Sequence, residues 1–163
     1  PIRLYRRWTW GSMSPLTSEY AAADTGPLQP IATPGHSDDH HVFWDAQTRT
    51  LFSGDLFLGI AVRIAHHDEN PWVLIESLER AADLEPVRMF DGHRGLVLDA
   101  AKLLRAKAAW NRKLIAKIRA AADRGETERQ ILKSVMGGES FTGLASGGEY
   151  SRLNFVRAAL TAE

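Results

Sequence analysis

Short apolar runs fill the first 96 residues, and they alternate with Gly, Pro and Asp residues that interrupt regular structure. Four of these runs suit β-strands: residues 28–32, 41–44, 50–53 and 87–90. The five polar or small residues at 45–49 suit a hairpin turn between the second and third runs. The pattern predicts a sheet of short strands in this part of the chain.

Helical spacing dominates after residue 96, and one earlier segment shares it. The earlier helix is predicted at 70–84, where Asn suits the cap and Pro the first helical position. A long helix is predicted at 98–124, ended by a glycine. A capping-box pattern opens a third helix at 127–138, and a last helix runs from about 151 to the end. Residues 11–27 predict an irregular connection because they are rich in Gly, Ser, Pro and Thr.

Composition indicates an ordinary globular chain, with 44% hydrophobic and 25% charged residues among 163. The absence of cysteine excludes disulfides, thiolate metal sites and cysteine nucleophiles. Lys+Arg and Asp+Glu both number 20, so no net charge attracts nucleic acid or an anionic membrane. No apolar run reaches the roughly 18 residues of a membrane span, and no signal-peptide pattern opens the sequence. We therefore expect a cytoplasmic protein with no membrane or nucleic-acid partner.

The first residue is Pro1, without an initiator methionine or a helix-capping pattern after it. This opening leads us to expect a chain that begins inside a longer protein. The change of pattern near residue 96 divides the chain into a strand-rich segment, residues 1–97, and a helical segment, residues 98–163.

Three potential metal ligands stand where a predicted strand gives way to a loop. His36 follows the first strand in a Thr-Pro-Gly-His sequence, Asp55 follows the third, and His93 ends an Asp-Gly-His sequence after the fourth. Imidazole and carboxylate are the ligands that zinc and iron use where thiolates are absent. Glycine beside each ligand lets the backbone turn tightly and approach an ion. We predict that the three side chains converge at one end of a sheet.

These segments resemble three consecutive motifs of the metallo-β-lactamase superfamily. Residues 33–40 (TPGHSDDH) resemble its third motif, 51–57 (LFSGDLF) its fourth, and 91–93 (DGH) its fifth. The order matches, and the helical tail is similar to those appended to several hydrolases of the family. The resemblance implies an α+β chain that forms half of an αββα sandwich. Residues 1–97 would be the C-terminal half of that domain, and residues 98–163 a helical extension.

The resemblance also implies roles for single residues. His36 would complete a three-histidine site for a first metal, Asp55 would bridge two metals, and His93 would belong to the second metal. His40 would lie near the site without being a ligand, so Asp55 and His40 are the candidate catalytic residues. The implied cofactor is zinc, two ions in the full-length protein, with iron or manganese as alternatives. The implied reaction is hydrolysis of an ester, thioester, amide or phosphoester in a small molecule by an ionised water. Glyoxalase-II-like thioesters, lactones, acyl esters and phosphodiesters all stay open as substrates.

Two features depart from the family pattern. The main signature, HxHxDH, is absent, and His66-His67-Asp68 has the right residue types at the wrong spacing and place. Arg94 stands where the fifth motif usually has glycine, so it either crowds the site or offers a cation to an anionic substrate. Because part of the ligand set is missing, we expect this chain alone to bind metal weakly and to be a poor catalyst.

Structural or non-catalytic interpretations are also open for these residues and for the whole chain. The three potential ligands could be ordinary loop, turn or cap residues, and structural roles are expected for His41, His66 and His67. The basic helix at 98–124 could bind nucleic acid, but the balanced net charge favours a solvated face. A non-catalytic interaction module and a nucleic-acid-processing family member are the alternative functions. An isolated half would expose the sheet face that normally packs on a second sheet, so we expect a homodimer.

Overall fold

The computed structural model describes residues 26–61 and 63–161. One sheet has five strands in the order β1-β2-β3-β5-β6, namely β1 Gln29–Ala32, β2 His41–Asp45, β3 Thr50–Gly54, β5 Arg88–Asp91 and β6 Gly95–Leu98. A two-stranded antiparallel sheet joins β4 Ala65–His66 to β7 Tyr150–Ser151. The helices are α1 Pro71–Asp83, α2 Ala100–Asp123, α3 Glu128–Ser134, α4 Phe141–Ala145 and α5 Arg152–Leu160. Among the described residues, no helix is both long and apolar enough to cross a bilayer.

Strand direction brings three strand ends to one edge of the large sheet. β1 pairs antiparallel with β2, and β2 pairs antiparallel with β3, so β1 and β3 point the same way. β3 and β5 are parallel. The residues after β1, β3 and β5 therefore leave the sheet at one edge. A register shift next to Ser53 bulges the end of β3, and such a bulge redirects the chain just before Asp55.

One continuous hydrophobic core joins the sheet to the helices. Val42, Leu51 and Met89 are fully buried in three neighbouring strands, and they share a cluster with Leu78 of α1 and Leu104 of α2. The cluster extends into α5, so the core crosses the division between residues 1–97 and 98–163. That division stays a prediction about domains, while the two segments fold around shared apolar side chains.

The other face of the sheet carries exposed apolar side chains. Phe52 and Phe90 are paired across β3 and β5, and their rings stack at 5.4 Å between centroids. They are 39% and 43% exposed, and Leu96, the partner of Phe90 on β6, is 55% exposed. We call Phe52, Phe90 and Leu96 the apolar row. It lies on the face that the sequence analysis assigns to a second sheet or a second copy.

The predicted elements agree with the structure to within about two residues, except near residues 135–138 and at the last helix, which ends at Leu160 and not at the end of the chain. The third helix ends at Ser134, a few residues before the predicted end. Strands β4, β6 and β7 and helix α4 were not predicted. β4 and β7 have two residues each, too few to show a period. The irregular connection predicted at 11–27 lies outside the described residues, except for residues 26 and 27.

Candidate metal centre

His36, Asp55 and His93 lie together at the edge where β1, β3 and β5 end. The Asp55 carboxylate stands between the two imidazoles: Oδ2 is 3.6 Å from Nε2 of His36, and Oδ1 is 3.4 Å from Nε2 of His93. The side chains of His36, Asp55 and His93 are 26%, 40% and 66% exposed, so the group opens to solvent. Convergence of the three residues is thus a property of the fold, and their role as metal ligands stays a prediction.

The spacing of the donor atoms is compatible with zinc coordination. Zinc bonds of about 2.0–2.1 Å at tetrahedral angles put neighbouring donors roughly 3.3 Å apart. The separations of 3.6 and 3.4 Å are close to that value. Because the two oxygens of Asp55 face different imidazoles, this carboxylate would be able to hold a cation together with either histidine. Three donors do not complete two coordination spheres, so further ligands are needed.

A buried carboxylate ties together the loops that carry two of these residues. Asp91, 5% exposed, accepts a hydrogen bond at Oδ2 from the backbone N–H of Leu58 at 2.8 Å. Its Oδ1 accepts from the N–H groups of His93, at 3.0 Å, and Arg94, at 2.8 Å. Asp91 therefore fixes the loop that follows Asp55 relative to the turn that carries His93.

Gly92 permits the two loops to touch. Its N–H donates to the carbonyl of Gly54 at 2.8 Å. A Cβ at position 92 would lie 2.8 Å from Oδ1 of Asp55, closer than real Cβ contacts allow. The glycine of this turn is therefore required for the position of the Asp55 carboxylate.

A buried cation holds the backbone beyond Asp55. Lys107 of α2 is 3% exposed, and its Nζ donates to the carbonyls of Leu56, at 3.0 Å, and Phe57. Burial lowers the pKa of Lys107 to about 8, although nearby carboxylates, Glu69 foremost, oppose the change. The sequence analysis missed Lys107 because an isolated lysine in a lysine-rich helix shows no sign of burial.

His40 lies beside the centre with both ring nitrogens engaged. Nδ1 is 2.8 Å from Oγ1 of Thr33 and 3.2 Å from its carbonyl, and Nε2 accepts from the backbone N–H of Asp55 at 3.3 Å. Burial, followed by the nearby charge of His36, lowers the pKa of His40. These contacts tie the β1–β2 loop to the end of β3. A catalytic role for His40 stays a prediction, and the geometry favours a structural one.

Glu69 contacts His36 on the side away from Asp55. Nδ1 of His36 is 3.3 Å from Oε1 of Glu69. The hydrogen bond to Glu69 is the main reason that the pKa of His36 is raised, and burial opposes the rise. The sequence analysis missed Glu69, because one acidic residue before a helix cap does not reveal a partner 33 positions away.

A second group of potential ligands occupies the turn after β4. Of the described residues, His66, His67 and Asp68 each offer one ligand atom, all within 4.8 Å of one another. Nε2 of His67 is 3.1 Å from Oδ1 of Asp68, and Nδ1 of His66 is 3.6 Å from Oδ2. His66 also faces β7, with Nε2 3.7 Å from Glu149 and its ring 5.1 Å from that of Tyr150. These contacts suit the structural role expected for His66, while the group itself has the composition of a metal site.

The guanidinium of Arg94 lies beside Gly59, in the loop that follows Asp55. A Cβ at Gly59 would lie 2.7 Å from Nη1 of Arg94, so the guanidinium covers that glycine. Both residues line an open cavity of about 490 Å³ whose other walls are apolar side chains. The cation is therefore close to an apolar surface, as an anionic organic substrate would require, and this use of Arg94 stays a prediction.

Comparison with known proteins relates this geometry to a family. Residues 22–93 match the family model described as the metallo-beta-lactamase superfamily. A beta-lactamase-like protein 2 homolog of Caenorhabditis elegans is 40% identical over 80 residues, which cover 48% of this chain and 25% of the relative. The homolog of Drosophila melanogaster is 37% identical over 67 residues, covering 41% of this chain and 22% of the relative. The chain spans a quarter or less of the length of these relatives.

A solved structure supports the same assignment at the level of the fold. A metallo-beta-lactamase family protein from Thermus thermophilus matches with a TM-score of 0.62 at 21% identity, over 82% of this chain and 42% of that one. Its likeness confirms the predicted α+β class, with one sheet and its helices. The match of residues 22–93 to the family model, the two relatives and the shared fold support membership in the metallo-β-lactamase superfamily.

Proposed function

We propose that this protein is a metal-dependent hydrolase that acts on an ester, thioester or related bond of a small molecule. The observation that carries the proposal is the Asp55 carboxylate, whose two oxygens face the Nε2 atoms of His36 and His93. Proteins of the superfamily typically bind metal ions and are generally hydrolytic. The donor spacing and the exposure of the group both fit that chemistry.

Each residue of the centre has a distinct task in this proposal. A pair of divalent cations would supply a water-derived nucleophile at neutral pH and positive charge for the developing oxyanion. His36 and His93 would donate from Nε2, and Asp55 would bind through both oxygens. The exposed side of His93 leaves room for a substrate to approach. Asp91 and Lys107 would keep the two loops in register while a substrate enters or leaves.

The ligand set of this chain limits what it does alone. A catalytic zinc uses about three protein ligands and a water. His36, Asp55 and His93 together supply three side chains for two cations. We therefore expect weak metal binding and little turnover from residues 1–163, and full activity only where further ligands complete both cations.

Zinc titration of the metal-free chain, followed by NMR of the histidine rings, tests the site. The expected result is that Zn²⁺ shifts the imidazole signals of His36 and His93 and leaves exposed His41 unchanged. Asp55→Ala should weaken zinc binding by more than about 100-fold, which exceeds the ~10–100-fold effect of groups that only support a ligand. Asp38→Ala is the matched control, because Asp38 is an exposed carboxylate in the same motif region.

Two results would contradict the proposal. Zinc could shift His66 and His67 instead, which would assign the metal to the turn after β4. Asp55→Ala could also bind zinc as tightly as the Asp38→Ala control.

Hydrolysis of thioester, lactone, acyl ester and phosphodiester probes, with chelator and after zinc is restored, then assigns the bond class.

A further inference from the structure

Glu69 occupies the short connection between β4 and α1, behind the candidate metal centre. Its side chain is 15% exposed, and Oε1 lies 3.3 Å from Nδ1 of His36. The same oxygen accepts the backbone N–H of His66 at 3.1 Å. Glu69 is neither one of the three potential ligands nor part of the family motifs in the sequence.

The two nitrogens of the His36 ring have different partners. Nδ1 faces Glu69, and Nε2 faces Oδ2 of Asp55 at 3.6 Å. An ionised carboxylate only accepts hydrogen bonds, and Glu69 lies closer to the ring, at 3.3 Å, than Asp55 does, so the pairing with Glu69 favours a proton on Nδ1. The lone pair of a neutral His36 ring is then at Nε2, on the side of the candidate metal centre.

We propose that Glu69 is a positioning residue, which fixes His36 as the Nδ1–H tautomer with Nε2 directed to the metal centre and thereby strengthens metal binding. The part of this inference that concerns metal binding rests on the proposed function, because stronger binding requires that His36 is a ligand. Histidine ligands usually donate their second ring N–H to a carboxylate, a carbonyl or a water, which sets the tautomer and raises the basicity of the ligating nitrogen.

The backbone around Glu69 holds the carboxylate in place. The N–H of Glu69 donates to the carbonyl of His66 at 3.1 Å, so Glu69 and His66 are hydrogen-bonded in both directions. The next residue, Asn70, donates its N–H to the carbonyl of Gly35 at 2.8 Å and caps α1 with its side chain. The segment that carries Glu69 is thus bonded directly to the loop that carries His36, which fixes the distance between the two side chains.

A purely structural role for Glu69 predicts different behaviour from a positioning role. If the contact between Glu69 and His36 only stabilised the fold, its loss would lower the free energy of unfolding. It would not change which nitrogen of the neutral His36 ring carries the proton. If Glu69 has a positioning role, its removal changes the tautomer of the neutral His36 ring, even in the absence of metal. The tautomer is therefore the measurement that separates the two.

The test uses the whole 163-residue chain in chelator, at a pH where the His36 ring is neutral. Long-range ¹H–¹⁵N NMR reports which ring nitrogen is protonated, and zinc titration of the same proteins after removal of the chelator reports affinity. We expect the Nδ1–H tautomer in the unmodified chain and a shift towards the Nε2–H tautomer in Glu69→Ala. Zinc affinity of Glu69→Ala should fall by about 10- to 100-fold.

Two further variants make the test specific. Glu69→Gln keeps a carbonyl oxygen that accepts from Nδ1–H but loses the charge, so it should retain the tautomer and lose less affinity than Glu69→Ala. If Glu69→Ala does not fold, Glu69→Gln alone carries the test, and affinity equal to that of the unmodified chain overturns the proposal. Glu76→Gln is the matched control, because it removes one exposed carboxylate from the neighbouring helix α1 and should change neither measurement.

The possible failures are distinguishable. An unchanged His36 tautomer in Glu69→Ala overturns the positioning role of Glu69, but it does not affect the proposed function of the metal centre. If zinc does not shift His36 in the unmodified chain, both the proposed function and the affinity half of this inference are overturned.

Discussion

Lys107 offers a quantitative test of how burial acts on a charge beside the candidate site. We consider Lys107→Met, which keeps most of the apolar stem and removes the titratable amine. The pKa of Lys107 is lowered from its usual 10.5 to about 8, because the amine is buried under the loop after Asp55. Between these two values the unfolded chain binds more protons at this residue than the folded protein does. Stability therefore rises with pH through this window.

The magnitude follows from the two pKa values. The full difference corresponds to about 3 kcal/mol, and about 2 kcal/mol of it develops between roughly pH 7.5 and 9.5. The free energy of unfolding of the unmodified chain should therefore rise by about 2 kcal/mol relative to Lys107→Met over that interval. Urea unfolding in chelator at several pH values measures the difference and keeps adventitious metal away from the carboxylates.

Lys113→Met is the control, because Lys113 is an exposed lysine of the same helix. The stability of this variant should run parallel to that of the unmodified chain at every pH. Parallel curves for Lys107→Met as well would refute the argument, since they would mean that the amine titrates normally in the folded protein.

Two further variants probe the loop of His36 and the exposed sheet face. Gly35→Ala should lower the free energy of unfolding, measured by urea denaturation, by more than about 3 kcal/mol. Gly35 has a φ of 123°, and a Cβ at this position would collide with the backbone nitrogen of Leu74. In sedimentation velocity we expect a dimer for the unmodified chain and a monomer for Phe52→Lys, because the substitution puts a charge in the apolar row.

Each of these variants has a counterpart elsewhere in the chain. Gly137→Ala shares the positive φ of Gly35, at 77°, but its Cβ would meet nothing within 4 Å. Equal losses in the two alanine variants would show that the close contact with α1 is unimportant. Phe141 is 86% exposed outside the sheet, so Phe141→Lys should leave the sedimentation unchanged. A Phe52→Lys variant that sediments like the unmodified chain would contradict the expectation that the apolar row forms a dimer interface.

The sequence alone determined the elements that depend on near neighbours. Asn70 caps α1 by accepting from the N–H groups of Trp72 and Val73, and the Thr127–Gln130 capping box opens α3. Both are contacts over two or three residues, so residue order is enough to predict them. The same applies to the strands before His36, Asp55 and His93, whose apolar runs are visible in the sequence.

Only the tertiary structure decided the relative directions of those strands and which distant residues contact the candidate ligands and their loops. The parallel pairing of β3 with β5 brings Asp55 and His93 to one edge, and no local pattern specifies that pairing. Glu69 meets His36 across 33 positions, and Lys107 meets the carbonyl of Leu56 across 51. Propensity and capping are set within a turn or two of chain, whereas contacts between distant segments depend on which apolar faces pack together.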